Sequence, residues 1–298
     1  MRNMILVAGA TGNLGKRIVK ALVEKNAEVK VLIRPNTDTE IINALFKIGA
    51  KIHELNHWNK EEIAIACDDV ACVVSVLAGL KDVIIDAQKI LLDAAVLAGV
   101  PRFIPSDYSL DFTNFKQDEN RNLDLRREFH TYLDQQNIRA TSVFNGAFME
   151  LILDEMPLIV FKPKLVIYWG KADYKWGFTA IDDVAKYTAN VALDPNTPRY
   201  LNIAGDQISP REVKVAVSEV TKKSFTLIRL GGKTLLGIMI KIAKKVSPAE
   251  NELYPAWQGM QYMHNMIDPR SEIKQLDNNR YAGMSWFSVK DMLYANKV

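Results

Sequence analysis

The stretch GATGNLG at residues 9–15 decides the fold of this chain. It directly follows Met4–Ala8, a continuous apolar run of the kind that forms a strand buried on both faces. It directly precedes Lys16–Lys25, in which apolar residues share one helical face and charged residues the other. A glycine-rich loop between a buried strand and an amphipathic helix is typical of a dinucleotide-binding site. The stretch therefore predicts such a site near the start of the chain.

Three glycines of this loop have separate tasks in that hypothesis. Gly9 allows the tight turn after the strand, and Gly15 lets the helix pack closely on the strand. Gly12 leaves room for backbone N–H groups to approach a pyrophosphate. The start of the helix adds unpaired N–H donors and the positive end of the helix dipole. A glycine loop that only turns a corner is the alternative interpretation.

The end of the second predicted strand, Glu28–Ile33, indicates which dinucleotide binds. An NAD site usually carries Asp or Glu about 20 residues beyond the loop, where the carboxylate bonds the ribose hydroxyls. This chain carries Arg34, whose guanidinium can bind a 2′-phosphate and stack on adenine. We therefore expect NADP(H) rather than NAD(H), unless Arg34 is only a solvated loop residue. Lys47 is a second candidate for the phosphate or, equally, a surface lysine of the next helix.

Strand-like and helical segments alternate over residues 4–105, which indicates right-handed β-α-β units and a parallel sheet. After about residue 150 this alternation breaks up. We expect an α/β fold with a Rossmann-type doubly wound parallel sheet and a smaller, mostly C-terminal α/β substrate region. Residues 1–150 would form the NAD(P)-binding Rossmann domain. Residues 151–298 would mainly bind substrate, with some later segments returning to the sheet.

The composition excludes several other classes of protein. Of the 298 residues, 48% are hydrophobic and 24% are charged, which excludes wholesale disorder. A net charge of +3 does not indicate a nucleic-acid binder. The cysteines, Cys67 and Cys72, and the four histidines lack metal-ligand spacing, so we expect neither a disulfide scaffold nor a metal site. No apolar run approaches the roughly 18 residues of a membrane span, and we expect no signal peptide and a cytoplasmic location.

Several motifs together carry a resemblance to a known family. They are GATGNLG at residues 9–15, Arg34, and AAVLAGVPRFIPSD at residues 94–107. Shorter matches follow in the same order, at residues 137–141, 145–148 and 178–185. In these features, which span roughly residues 4–230, the chain resembles the NmrA-like and isoflavone-reductase-like proteins. These are atypical members of the short-chain dehydrogenase/reductase superfamily.

The resemblance implies a Rossmann-type domain, NADP(H) more often than NAD, and a set of cofactor-binding residues. The glycine loop and Arg34 would hold the cofactor, and Lys47 would reach the 2′-phosphate. The loop Leu77–Gly79 would pass near the ribose, and residues 145–148 would lie beside the nicotinamide. The implied set is Gly9, Thr11, Gly12, Asn13, Leu14, Gly15, Arg34, Lys47, Leu77, Ala78 and Asn145.

The proton donor of a reductase is harder to find in this sequence. Classical short-chain reductases use a Tyr-x-x-x-Lys pair, in which the lysine lowers the pKa of the tyrosine. No tyrosine of this chain has a lysine four residues on. Isoflavone-reductase-like enzymes instead place a catalytic lysine on a helix, and counting back from Ile138 puts Arg126 at that position. An arginine effectively cannot exchange protons, so the donor that the resemblance implies is missing.

Three weak candidates for a catalytic role remain. Arg126 could orient or polarise a substrate oxygen, or it is a solvated helix residue paired with a neighbouring carboxylate. Lys116 precedes the helix in a loop that could fold over the site. His130 follows Arg126 by four residues on the same helix face and could act as the acid. For Lys116 and His130 we favour a surface position without a catalytic role.

Residues 221–246 contain seven Lys or Arg and no Asp or Glu, with apolar residues interleaved. We expect a basic amphipathic helix, which would be a lid over the substrate pocket or, as the less favoured alternative, would lie on a membrane surface. Trp169 and Trp176 flank an expected hairpin or loop around Gly170. Such bulky side chains either line a pocket for an aromatic or apolar substrate or belong to the core.

Two functions from different classes follow from these features. The first is an NADPH-dependent reductase of a small aromatic or carbonyl-type substrate, which we favour slightly because of the cofactor site and the apolar C-terminal region. The second is a non-catalytic NAD(P)-binding redox sensor that acts through a protein partner, which the missing proton donor favours. In both cases we expect no nucleic-acid partner and no membrane span.

Overall fold

The computed structural model describes residues 3–153, 156 and 158–296, and the chain divides into two compact units. Unit 1 comprises the residues up to Tyr108, Leu125–Val143 and Val184–Leu201. Unit 2 comprises Ser109–Asp124, Phe144–Asp183 and the residues from Asn202 onward. The boundary that we expected at residue 150 differs from this division, because the two units share the chain in alternating segments.

Unit 1 is built on a six-stranded sheet in the order β3-β2-β1-β4-β5-β6, in which each neighbouring pair is parallel. Its first strand lies inside the sheet, and the chain proceeds outward to one edge and then to the other. This is the strand order of a doubly wound Rossmann sheet, so the predicted fold class is confirmed. The strands are β1 (Met4–Ala8), β2 (Glu28–Ile33), β3 (Lys51–Glu54), β4 (Val70–Ser75), β5 (Arg102–Ile104) and β6 (Arg139–Ala140).

The helices between these strands begin and end at local sequence signals. Asp38 caps the second helix by accepting a hydrogen bond from the N–H of Glu40, and Gly49 ends that helix with φ 108°. The fourth helix continues a π-helical segment, Asp82–Ala87. The helices between the strands are α1 (Asn13–Glu24), α2 (Thr39–Ile48), α3 (Lys60–Ala66), α4 (Gln88–Leu97) and α5 (Arg121–Leu133). A sixth helix, α6 (Ile181–Leu193), follows later in the chain.

Buried side chains of the strands and of α4 and α5 form a core on one side of the unit 1 sheet. Leu6, Val73 and Phe103 contribute from the strands, and each is fully buried. Arg102 of β5 is also buried, and it donates to the carbonyls of Val191 at 2.5 Å and Ala192 at 2.8 Å. Because a buried guanidinium needs such acceptors, these bonds tie the end of α6 to the sheet.

Unit 2 contains two three-stranded sheets in its described part, in the orders β14-β10-β9 and β13-β11-β8. A further short pair joins β7 (Ser142–Phe144) to β12 (Tyr200–Asn202). The strands of the two sheets are β8 (Ala147–Phe148), β9 (Ile159–Val160), β10 (Leu165–Trp169), β11 (Trp176–Thr179), β13 (Asp206–Ile208) and β14 (Thr226–Gly231). Since β10 and β11 belong to different sheets, Gly170 lies in a loop between sheets rather than in a hairpin.

The helices of unit 2 are α7 (Pro210–Thr221), α8 (Lys233–Val246), α9 (Ala256–Met266) and α10 (Val289–Ala295). Ser209 and Glu212 form a capping box at the start of α7. The predicted helix over residues 221–246 is wrong in its first part, where Thr226–Gly231 is a strand that pairs in parallel with β10. The segment forms the edge strand of its sheet, and sheet pairing overrides the helical pattern there.

Buried amide side chains join α9 to the segment before α5 within unit 2. The Oδ1 atom of Asn120 accepts from Nε2 of Gln258 at 2.8 Å, and its Nδ2 atom donates to Oδ1 of Asn265 at 3.0 Å. The backbone N–H of Arg121 donates to Oε1 of Gln261 at 3.2 Å. All four amide side chains are nearly inaccessible to water, so this network fixes the segment in one position.

No helix in the described part of the chain is long and apolar enough to cross a membrane.

Candidate functional site

The glycine loop lies at the carboxyl edge of the unit 1 sheet, between β1 and α1, as predicted. Gly9 has φ 88°, and a Cβ atom on it would lie 2.5 Å from the carbonyl oxygen of Val76. A Cβ atom on Gly15 would overlap the carbonyl oxygen of Gly9 and come within 2.8 Å of the Cα atom of Ala10. Both glycines are therefore required by the packing of the chain on itself.

Gly12 differs from these two glycines, because nothing in the fold requires it. Its backbone is extended, with φ −75° and ψ 168°, a conformation that any residue adopts. A Cβ atom on Gly12 would have the carbonyl oxygen of Gly9 as its nearest neighbour, at 3.4 Å, and the residue is exposed. The loop backbone around Gly12, which we call the cradle, is thus open on its outer side, as the approach of a phosphate group would require.

The start of α1 suits an anion. No side chain caps this helix end, and its first turn contains no acidic residue. The helix has 12 residues, long enough for its dipole and its free N–H groups to favour negative charge at this end. Of the neighbouring predicted residues, Thr11 is half-buried and Leu14 is buried, while Oδ1 of Asn13 accepts from Nε of Arg17 at 3.1 Å.

The strands on either side of β1 bring two further predicted segments to the same edge. Arg34 follows the end of β2 and is exposed, and its carbonyl oxygen accepts from the N–H of Thr37 in a turn. Since Ala8 pairs with Leu32, Arg34 lies one strand away from the glycine loop. On the other side, Leu77 and Ala78 follow β4, and the N–H of Val76 donates to the carbonyl of Ala8 at 2.8 Å.

Lys47 does not reach this edge. It lies in the last turn of α2, eight residues after Thr39, which corresponds to roughly 12 Å along the helix axis. Because β2 and β3 are parallel, α2 runs from the carboxyl edge back toward the amino edge of the sheet. The helix therefore carries Lys47 away from Arg34, and we leave Lys47 out of the candidate site.

Asn145 lies in unit 2, directly after β7, and is fully buried. Its backbone N–H donates to the carbonyl of Ser109 at 2.9 Å, and its own carbonyl accepts from Oγ1 of Thr179 at 2.7 Å. Its side-chain Oδ1 and Nδ2 atoms have no hydrogen-bond partner among the described residues. A buried amide in this state is unusual and suggests contact with a polar group of a ligand or with water.

The weak catalytic candidate His130 lies inside unit 1 rather than at the surface, which corrects the surface position that we favoured. Its Nε2 atom is 2.6 Å from Oδ2 of Asp107, and both residues are buried. Its Nδ1 atom is 3.3 Å from a guanidinium nitrogen of Arg199, which can only donate. Nδ1 therefore accepts from Arg199, and Nε2 faces the carboxylate of Asp107.

Asp107 is held ionised by its surroundings. Burial alone would raise its pKa, but attraction to His130, hydrogen bonds from His130 and Ser142, and the charge of Arg126 together lower the pKa below its ordinary value. The pair Asp107–His130 joins the end of β5 to α5, at a sequence separation of 23 residues. No pattern in the sequence signals such a pair.

Arg126 lies on α5 and is half-buried, with its Nε atom donating to the carbonyl of Ser106 at 3.0 Å. This contact fixes the guanidinium beside the Ser106–Asp107 segment, so the solvated position that we considered for Arg126 is wrong. Lys116 is exposed, in agreement with the surface position favoured for it. In the described residues, no group of three His, Cys, Asp or Glu side chains could hold a metal ion.

Unit 2 carries a narrow pocket with an aromatic lining. Phe144, Trp176, Met266 and Leu110 form its apolar walls, while Asp111, Asn202 and Ser271 add polar groups. The indole Nε1 of Trp176 is buried and has no hydrogen-bond partner in the described part of the chain. Trp176 thus borders this pocket and belongs to the buried core of unit 2, which is one of the two positions expected for it.

A buried strand, a glycine loop and an uncapped helix start at the carboxyl edge of a doubly wound sheet define a dinucleotide-binding protein of the Rossmann class. A model of one family within this class, the NmrA-like family, matches residues 1–282. The chain belongs to the NmrA-like family, and the predicted resemblance is confirmed.

Curated relatives of this chain are plant reductases. Pinoresinol reductase 1 of Arabidopsis thaliana is 31% identical over 210 residues, which cover 66% of this chain and 66% of the relative. A bifunctional pinoresinol-lariciresinol reductase of Linum usitatissimum is 31% identical over 254 residues, covering 80% of this chain and 81% of the relative.

Solved structures share the fold over almost the whole chain. A structure of AtPrR2 with NADP⁺ and (+)-pinoresinol matches with a TM-score of 0.84 and 21% identity, covering 99% of both chains. A structure of isoflavone reductase matches with a TM-score of 0.83 and 18% identity, covering 99% of this chain and 100% of the other. At these identities the likeness establishes the fold.

Proposed function

We propose that the chain is an NADPH-dependent reductase of a small aromatic substrate. The observation that carries this proposal is the open cradle at Gly12, since Gly9 and Gly15 are required by packing and Gly12 is not. The relatives support the proposal, because the curated matches are reductases named for aromatic lignans. A structural neighbour that holds NADP⁺ together with such a compound supports it further.

NADPH would supply the hydride, and the residues of this chain would bind and orient the cofactor. The N–H groups at the start of α1 and around Gly12 would hold the pyrophosphate. Arg34 would bind the 2′-phosphate through its guanidinium, and Leu77 and Ala78 would pass near the ribose.

The pocket of unit 2 has an aromatic lining but a volume of only about 20 Å³, so it would have to widen to hold an aromatic substrate. Phe144 and Trp176 provide ring surfaces, and Nε1 of Trp176 would donate to an oxygen of the substrate. Asp111 is partly exposed at the same pocket and would accept a hydrogen bond from a phenolic hydroxyl. Aromatic compounds with oxygen substituents therefore suit this lining better than aliphatic ones.

The redox sensor remains the second candidate, because Arg126 stands where the family lysine is expected. Its guanidinium is bound to the carbonyl of Ser106 and cannot act as a proton donor. His130 is buried and hydrogen-bonded to Asp107, so it is not exposed to a substrate as a proton donor. A reductase built on this site would take its proton from solvent or from the substrate, whereas a sensor would need none.

Titration of the purified protein with NADPH and NADH tests the cofactor part of the proposal. Replacing Arg34 by aspartate should weaken NADPH binding by about 10- to 100-fold, since a charge-assisted hydrogen bond is worth about 1.5–3 kcal/mol. The same change should weaken NADH binding much less. Lys47→Asp is the matched control, and its NADPH affinity should stay within about twofold because solvent screens distant charges.

Oxidation of NADPH in the presence of lignans and simpler aromatic carbonyl compounds tests the reaction. Turnover with an aromatic substrate supports the reductase. Binding of the dinucleotide with no turnover of any such compound would favour the sensor. A protein that binds no dinucleotide would contradict both functions and leave the glycine loop as a structural turn.

A further inference from the structure

The outward face of α8 is apolar and exposed. Ile238, Ile242 and Val246 are 51%, 57% and 78% exposed, and Leu235 and Met239 lie on the same face. These five residues, the outer stripe, are spaced by three or four positions, so they form one continuous row along the helix. Isolated exposed apolar side chains are ordinary, but a row over three turns of one helix indicates an interaction surface.

The opposite face of α8 is fixed to unit 2. Leu236 and Ile240 are buried, and Nζ of Lys233 forms an ion pair with Asp268. The ammonium of Lys244 lies 4.6 Å from the ring centroid of Trp257. These contacts hold the helix in place, so the outer stripe faces outward without any rearrangement of α8.

The charged residues of the segment that carries the outer stripe are of one sign. Lys241 and Lys245 are exposed and follow Ile238 by three and seven residues, so they border the stripe along one side. Residues 221–246 contain seven Lys or Arg and no acidic residue, and the nearest acidic residues in the sequence are Glu219 and Glu250. A partner for this surface therefore has to be both apolar and negatively charged.

We propose that α8 docks the protein on an anionic lipid surface, with the outer stripe inserted between the headgroups and Lys241 and Lys245 at the phosphates. The helix has 14 residues and is about 21 Å long, which suits a helix lying in the plane of a membrane interface. A second copy of the chain fits less well, because a symmetric contact through this surface would bring like charges together.

Flotation or sedimentation with vesicles tests the proposal on the full-length protein. We expect binding to vesicles that contain phosphatidylglycerol, weaker binding at high salt, and little binding to pure phosphatidylcholine. Replacing Lys241 and Lys245 by alanine should reduce the partition coefficient by about fivefold per lysine. Ile238→Ser with Ile242→Ser should reduce it by at least about tenfold, since two buried apolar side chains are lost.

A double variant in unit 1 is the matched control. Phe46 and Ile65 are 69% and 71% exposed, and replacing both by serine should leave vesicle binding unchanged. Circular dichroism and NADPH binding establish that each variant is folded. The proposal is overturned if the wild-type protein binds neither kind of vesicle, binds both equally, or keeps its binding after the Ile238 and Ile242 changes. It is also overturned if those changes instead dissolve a dimer in sedimentation velocity.

Discussion

Replacing Gly12 by alanine should weaken dinucleotide binding and leave the fold intact, whereas Gly15→Ala should damage the fold. The difference follows from what the added methyl group meets. At Gly12 it meets one carbonyl oxygen at 3.4 Å, in a backbone conformation open to any residue. At Gly15 it overlaps the backbone of the loop. The same change from glycine to alanine should therefore affect ligand binding at position 12 and packing at position 15.

The expected magnitudes are distinct. Alanine at the helix N-cap is slightly worse than glycine, so Gly12→Ala should lower the free energy of unfolding by about 1 kcal/mol or less. A methyl group between the loop and a pyrophosphate removes charge-assisted hydrogen bonds, and the Kd for NADPH should rise by about 10- to 100-fold. Overpacking at Gly15 should cost about 1–3 kcal/mol of stability.

Urea unfolding followed by circular dichroism and NADPH titration followed by fluorescence give the two quantities. Gly259→Ala is the matched control, since its Cβ atom would meet nothing within 4 Å and the residue is exposed on α9. It should change neither quantity by much and could stabilise the helix by up to about 1 kcal/mol. The reasoning fails if Gly12→Ala binds NADPH like the wild type, or if it is as unstable as Gly15→Ala.

Three further predictions concern buried groups. Arg126→Lys should raise kcat for NADPH oxidation by about tenfold or more and give it a new pH dependence, because lysine can exchange a proton; an unchanged pH–rate profile would contradict this role. Asp107→Asn should cost about 1–3 kcal/mol at pH 7 through its bond to His130. The pKa of Asp107 is lowered in the folded protein. Its contribution to stability is therefore present above the unfolded pKa of about 3.9 and is lost as the pH falls through the folded pKa. The urea unfolding curves of the wild type and the variant should converge in acid. Asn120→Ala should lower the free energy of unfolding, measured in urea, by about 2–4 kcal/mol, because two buried hydrogen bonds are lost. The exposed Asn279→Ala is the control and should stay within about 0.5 kcal/mol of the wild type.

The parts of the fold with local signals could be predicted from the sequence. The apolar run Met4–Ala8, the spaced glycines and the capping box at Ser209 each specify a structure within a few residues of themselves. The parallel sheet follows from the alternation of strands and helices and from the handedness of their connections. The order of the strands does not, because doubly wound sheets occur with more than one order. The cofactor loop and Arg34 belong to this group, because a sheet brings the ends of adjacent parallel strands to one edge.

The rest depends on partners that are distant in sequence. Asp107 and His130 are ordinary residues until β5 and α5 bring them to 2.6 Å. Lys47 looked suitable by its sequence position, but the direction of α2 takes it to the wrong end of the sheet. Thr226–Gly231 shares the basic, apolar pattern of α8, and only pairing with β10 shows that it is a strand. Tertiary context decides each of these cases.

The alternating division of the chain has a consequence for synthesis on the ribosome. The six strands of the unit 1 sheet end at Ala140, but unit 1 is complete only when Val184–Leu201 has been made. The guanidinium of Arg102 bonds carbonyls that lie 89 and 90 residues later in the chain. In a nascent chain that ends at residue 150, the guanidinium of Arg102 and the apolar surface that α6 covers in the complete protein are therefore exposed to solvent. We expect chaperones to bind such an intermediate, and we expect no stable folded state until about two thirds of the chain has emerged from the ribosome.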